Sequence, residues 1–271
     1  MSQEPQTSTA QPPAPAPTIY TADDRDDILA QFARAQHENY PVRFEHCHFI
    51  DIDFANEEIS GVTFQDCEFI RCNLTETQIT HSVLRDVIMS NCPARNMRIT
   101  DSALRSCTLQ RCDCTEMRIA TTDLFTVTVT TTSLADASVT NSTLRDVTVQ
   151  QSLADNASIV QSTCYNTVIR TCSCIQNVVE HVTSTGLNIS NCDLHSTKVA
   201  NATFRTATIT NCTANMLELQ RVMMYYPRID DLRYGETVDC NAVELQRATI
   251  TNTKPLELPD AQLQIDYIDA K

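Results

Sequence analysis

Thirteen cysteines, six histidines and several paired carboxylates are the residues of this 271-residue chain whose types could do chemistry. Cysteine in that number could build a disulfide framework, hold zinc or supply a nucleophile activated by histidine. Zinc usually takes four convergent ligands, often in C-x2-C pairs. The close pairs here are C-x-C, Cys112/Cys114 and Cys172/Cys174. The acidic pairs Asp51/Asp53, Glu57/Glu58 and Asp230/Asp231 could act as general acid and base only where a cleft raises one pKa of the pair. The chain shows no Gly-rich phosphate loop, no G-x-S-x-G and no metal-binding helix motif. The expectation is a chain without catalytic residues, metal or cofactor.

The elements that must position these residues follow an unusual period. From Phe44 every fifth residue to Tyr234 is apolar at 38 of 39 positions, and Ser184 is the exception. Two residues before each sits a smaller inward set: Val42, Cys47, Val62, Cys67, Cys72, Ser82, Cys92. The remaining positions are mainly polar. A helix repeats every 3.6 residues and a strand every 2, so neither fits. A step of five that never slips over 190 residues means identical short turns of one solenoid. Twelve cysteines fall at the two inward positions, and Cys240 follows in a shifted frame. Free cysteine behaves as a small hydrophobe suited to a narrow core. The expectation is structural thiols in a reducing, cytoplasmic compartment. Histidines such as His46, His48 and His81 fall at outward positions and cannot meet the thiols.

The pattern over 42–234 resembles the pentapeptide-repeat family. Ser-Thr-Leu-Arg-Asp at 142–146 and Ala-Thr-Phe-Arg-Thr at 202–206 show it well, with Thr, Ser or Arg often standing where the family favours Asp or Asn. The resemblance implies an all-β chain: a right-handed quadrilateral β-helix of about nine to ten coils, four pentapeptides to a coil. Columns twenty residues apart agree, for Ile59, Ile79, Ile99, Ile119, Val139, Ile159, Val179 and Val199 are β-branched. Coils should stack about 4.8 Å apart.

Residues 1–20 read as a Pro-rich disordered tail with a PxxP match at Pro12 and Pro15. Residues 21–40 read as a helix that caps the first coil, with Thr21 and Asp24 as a capping box and Ile28, Leu29 and Phe32 on one face. The repeat occupies 41–254 with a frame slip at 235–239, and 255–271 form a C-terminal cap or acidic tail, beginning after the stops Pro255 and Pro259.

Function should then lie on the outside. One surface column runs Glu45, Gln65, Arg85, Arg105, Phe125, Arg145, Tyr165, Thr185, Arg205, Tyr225. Arginine and aromatic residues at coil spacing can pair through cation–π contacts, and both types dominate binding hot spots. Arg85, Arg105, Phe125, Arg145, Tyr165, Arg205 and Tyr225 are therefore the candidate binding residues for a protein partner. The opposing expectation is a self-satisfied ladder, with arginines paired to Asp86 and Asp146. The net charge of −14 argues against direct nucleic-acid binding, and no apolar run approaches a membrane span. The resulting expectation is a non-catalytic protein-binding scaffold. Two alternatives come from the family: an effector secreted into host cells, suggested by the Ser/Thr/Pro/Gln-rich first 18 residues, and a DNA mimic that binds topoisomerases. The mimic needs a continuous acidic face, yet residues 41–235 carry only −6 of the charge and are interrupted by arginines.

Overall fold

The structure is a computed structural model and describes residues 16–38, 40–233, 238–251, 253 and 262–269. The PxxP match at Pro12 and Pro15, the stops Pro255 and Pro259, and Tyr234 lie outside the described residues.

The helix begins at a one-turn 3-10 segment, Ala22–Asp24, and continues as Arg25–Glu38. The Thr21 backbone N–H donates to the Asp24 carboxylate at 2.8 Å, which satisfies one orphan donor of the first turn. Asp23, Asp24, Asp26 and Asp27 sit at the positive end of the helix dipole. Ile28, Phe32 and Ala35 are buried. The Phe32 ring meets Phe44 and Phe54 at 5.9 Å and Phe64 at 6.2 Å, so the helix plugs the open end of the first coil. The sequence reading placed Thr18–Tyr20 in the tail. It is instead a short strand, parallel to Cys47–Ile50, with Tyr20 stacked on Phe49 at 5.3 Å. The half-buried Tyr20 ring and the ladder, with the Thr18 N–H donating to the His46 carbonyl at 2.8 Å, tie these three residues down.

From residue 41 the chain winds as a parallel solenoid. Each residue pairs with the one twenty further on, as in Val42↔Val62, Ile99↔Ile119 and Leu104↔Leu124. Three sides of each coil are short strands. The fourth is held by single bridges such as Asp53↔Asn73 and Asp113↔Ser133. From Leu217 onward the register to the next coil lengthens to 21, with Leu219↔Cys240, Met224↔Leu245 and Ile229↔Ile250. Within the segment read as a C-terminal cap or tail, Gln262–Asp269 adds one more parallel strand along Glu244–Thr251.

Between sides the backbone turns through the left-handed region at every fifth residue: His46, Asp51, Asn56, Asp66, Arg71 and onward all have φ between 49° and 63°. These corners free the alternate residues to point inward. The inner small position also carries hydrogen bonds. The thiols of Cys67, Cys72 and Cys107 donate to the carbonyls of Phe44, Phe49 and Leu84, 23 residues back, at 3.4, 3.2 and 3.3 Å. The hydroxyls of Ser82, Thr122 and Thr132 do the same to Ile59, Ile99 and Leu109. Cysteine, serine and threonine share this column because each is a small donor that can reach the preceding coil.

Every cysteine is buried, and the twelve in the unshifted frame are free thiols. Burial pushes Cys67, Cys72, Cys107 and Cys164 up to about 11, which holds them as thiols rather than reactive thiolates. Hydrogen bonds to neighbouring thiols, with burial behind them, raise Cys92, Cys114, Cys172 and Cys174 as well.

Candidate binding face

The side of the solenoid built from Val42–Glu45, Val62–Gln65, Val83–Arg85, Ala103–Arg105, Asp123–Phe125, Thr143–Arg145, Thr163–Tyr165 and Thr183–Thr185 carries the candidate column. Each strand buries its middle core residue and turns the next residue outward, because side chains alternate across a strand. Register then aligns the outward set: Arg85↔Arg105, Arg105↔Phe125, Phe125↔Arg145, Arg145↔Tyr165, Thr185↔Arg205 and Arg205↔Tyr225. All seven candidate residues are thus brought onto one face at successive rungs, with Thr185 between Tyr165 and Arg205.

Phe125 is 43 % exposed and Tyr165 39 % exposed, which is unusual for rings on a flat sheet. Tyr226, at the corner beside Tyr225, is 53 % exposed and extends the aromatic surface. The sequence reading missed it, since the column rule considers outward strand positions and not the corners. Arg145 lies over the Tyr165 ring at 5.2 Å and Arg205 over Tyr225 at 5.4 Å. The Tyr225 hydroxyl is turned to Met223 Sδ, and Tyr225 is half-buried.

The expected pairing of these arginines with Asp86 and Asp146 is not formed. Among the described residues no ion pair involves Arg85, Arg105, Arg145 or Arg205. Asp146 instead accepts a hydrogen bond from Asn166 Nδ2 at 3.0 Å. Both aspartates sit at left-handed corners, one residue beyond the outward strand position. Elsewhere on the rod arginines do find partners: Arg71 grips Asp51 with two bonds of 2.7 Å, Arg95 meets Asp113 at 2.8 Å and Arg25 meets Glu57 at 2.5 Å. Arg98 and Arg118 also stand in register without ion pairs, but no ring adjoins them on their rungs. The face is therefore set apart by its mixture of rings and uncompensated guanidinium groups. Arg85 and Arg105 are directly in register, and like charges so placed repel.

The acidic pairs do structural work. Asp51 and Glu57 hold Arg71 and Arg25, Asp53 accepts the Ala55 N–H, and Asp231 pairs with Arg233. Asp230 accepts from the Thr251 hydroxyl. His46 and His48 lie outside the core, 3.6 and 3.9 Å from Asp66 and Glu68. Among the described residues no group of three His, Cys, Asp or Glu side chains is placed to hold a metal, and no helix is long and apolar enough to cross a membrane.

The family model for the pentapeptide repeat region matches residues 42–119. The crystal structure of HetL from the cyanobacterium Nostoc sp. strain PCC 7120, a pentapeptide repeat protein involved in regulating heterocyst differentiation, superposes with a TM-score of 0.69. The match covers 83 % of this chain and 96 % of HetL at 14 % identity. Residues 42–119 are a pentapeptide repeat region, and the fold of the chain is that of HetL. Full-length QnrB1, a plasmid-mediated fluoroquinolone resistance protein, matches at 14 % identity over 77 % of this chain and 87 % of its own, with a TM-score of 0.29. The catalytic unit of a GH87 α-1,3-glucanase from Streptomyces thermodiastaticus matches at 10 % identity over 98 % of this chain and 72 % of its own, with a TM-score of 0.41. No curated protein sequence matches the chain. The five-residue pattern accounts for the inward residues and the corners. The arginine and aromatic column belongs to one of the two outward positions that the repeat leaves open.

Proposed function

We propose that the protein is a non-catalytic scaffold that binds a protein partner through the column Arg85, Arg105, Phe125, Arg145, Tyr165, Arg205 and Tyr225. One observation carries the reading: exposed rings alternate with arginines that have no carboxylate partner, on a face whose backbone is fixed by ladders on both sides. A partner segment that brings carboxylates to Arg85 and Arg105 relieves their mutual repulsion, and planar or apolar side chains lie against Phe125 and Tyr165. The rigid rungs hold these groups in place before binding, so little ordering entropy is lost. Arginine and tyrosine at the centre of such a patch are the residue types that carry most binding energy.

The test is capture of partners from the native lysate by the wild type and by a variant with Arg105, Phe125, Arg145 and Tyr165 all changed to Ala. The variant should retain the circular dichroism spectrum and melting temperature and lose the captured protein, with a loss of at least about 2 kcal/mol in affinity once that protein is purified. Unchanged capture by the folded variant refutes the assignment. A cytoplasmic setting follows from the buried thiols in this reading.

A further inference from the structure

We propose that the partner of the arginine and aromatic face is an acidic amphipathic α-helix lying along the rod axis. The inference rests on the protein-binding reading above and names what that protein presents. The face has relief. Its outward strand positions form two columns, two residues apart and so about 6.6 Å from each other. One is the ridge of long side chains that runs from Arg85 to Tyr225. The other is a shelf of small ones: Val83, Ala103, Thr143, Thr163, Thr183 and Thr203, aligned rung on rung by the ladder. The threonines follow one another without interruption. A shelf beside a ridge meets a cylinder of helix diameter, about 10 Å, on two surfaces at once. Small side chains on the shelf let the helix axis come close.

The rung spacing selects the helix over an extended segment. Successive members of the ridge stand about 4.8 Å apart along the rod. A strand laid along it would present a side chain to the ridge only every 6.6 Å or so, about two for every three rungs. A helix rises about 1.5 Å per residue, so residues 1, 4, 8, 11 and 15 of one stripe fall at about 0, 4.5, 10.5, 15 and 21 Å. The five rungs from Arg85 to Tyr165 fall at about 0, 4.8, 9.6, 14.4 and 19.2 Å. No pair is out of step by more than about 2 Å, which a long arginine side chain spans. Farther along the ridge the mismatch grows, so the docked stretch is Arg85 to Tyr165.

Charge sets the chemistry of that helix. At the outward strand positions of this face between residues 83 and 205, Asp123 is the one carboxylate, and it shares its rung with Phe125. Asp86 and Asp146 stand at the corners, beyond the ridge, so the shelf side is where a partner's carboxylates meet the arginines without facing others. The Tyr165 ring under Arg145 holds its guanidinium by cation–π attraction and leaves the N–H groups of the guanidinium edge for a carboxylate. A complementary helix therefore places acids opposite Arg85, Arg105 and Arg145. Opposite Phe125 and Tyr165 it places apolar side chains, and an acid at the Phe125 rung would face Asp123.

The experiment titrates the full chain with a labelled peptide of about 18 residues, long enough to hold a helix. It carries Glu at the three positions matching Arg85, Arg105 and Arg145, Leu at the two matching Phe125 and Tyr165, and Ala or Gln elsewhere. It should bind saturably at one per chain, gain helicity on binding, and bind Arg105→Glu at least about tenfold more weakly. A peptide with Lys in place of the Glu opposite Arg105 should recover that loss on Arg105→Glu. Arg85→Glu with its own matching peptide repeats the exchange if Arg105→Glu does not fold. Absence of saturable binding below about 1 mM overturns the proposal, as does a charge exchange that restores nothing. Equal binding of the same peptide with a central Pro would make the partner an extended segment. Concentration-dependent sedimentation of the protein alone, abolished by Arg105→Glu, would make it a second copy of this chain. If the quadruple alanine variant loses its captured protein and the peptide does not bind, the face remains a docking site and the helix is wrong. Unchanged capture removes both.

Discussion

A turn into the left-handed region every fifth residue would ordinarily call for glycine, yet among the described corners only Gly61 and Gly186 are glycines. Gly186 has a specific reason, because a Cβ there would meet Asn166 Oδ1 at 2.7 Å. Asn and Asp tolerate this conformation, whereas β-branched residues are strained in it. Thr121, Thr126 and Thr131 are consecutive corners of one coil with φ of 51°, 55° and 52°. Changing Thr126 and Thr131 to Asn should therefore stabilise the fold by about 1 kcal/mol at each site. The denaturant midpoint should move up with an unchanged slope. A midpoint that falls or stays put would show that the methyl groups of these threonines contribute packing outweighing the strain. The corners were scarcely legible in the sequence. Three glycines suggest a chain with few tight turns, and only the recurrence of Asn and Asp two residues after each core position marks them.

At the scale of the coil, neighbouring rungs are joined by backbone ladders and a few charged clamps. The two hydrogen bonds from Arg71 hold the Asp51 carboxyl below its ordinary value of 3.8. Asp113 is also held low; partial burial works the other way, but hydrogen bonds from Thr115 and Arg95 outweigh it. A carboxyl depressed in the folded state adds stability that is complete above its unfolded value and is lost as pH falls through the folded one. Stability should thus decline on acidification below about pH 4, and the double variant Asp51→Asn, Asp113→Asn should show a shallower decline over the same window. Urea midpoints at successive pH values measure it, and parallel curves for the two proteins would exclude these clamps as the titrating groups. The effect is small because both carboxylates face solvent. The strands themselves were plain from the five-residue step. The Asp51–Arg71 clamp was not, because it joins residues a full coil apart and becomes adjacent only once the register of twenty is known. The strand at Thr18–Tyr20 was hidden too, being three residues long and recognisable only by where the Tyr20 ring goes.

Over the whole rod the buried residues form two clusters. One runs from the capping helix to Cys164 and Val182, and the other from Cys172 to Ile250. The first contains six phenylalanines, among them Phe32, Phe49 and Phe64, which lie within 4.7 to 6.2 Å of one another or of a third ring. Over 161–200 no aromatic ring faces inward, Ser184 stands at a core position, and an apolar cavity occupies the bore. A solenoid's stability is close to a sum of coil and interface terms, so an under-filled stretch opens at lower free energy than a filled one. The sequence displayed one sign of this, the lone polar residue in a column of 39. The rest was not visible there, since Val, Ile, Cys and Ala each satisfy the apolar pattern, and only their summed volume against a fixed wall spacing exposes the deficit. Native-state hydrogen exchange resolved by peptide should show amides at 161–200 exchanging faster than those at 62–119, although both stretches have the same ladders. Ser184→Phe should slow exchange across the neighbouring coils and leave 62–119 unchanged. Uniform protection along the rod, or a filled variant that exchanges no more slowly, would mean that ladder hydrogen bonds rather than bore packing set local stability.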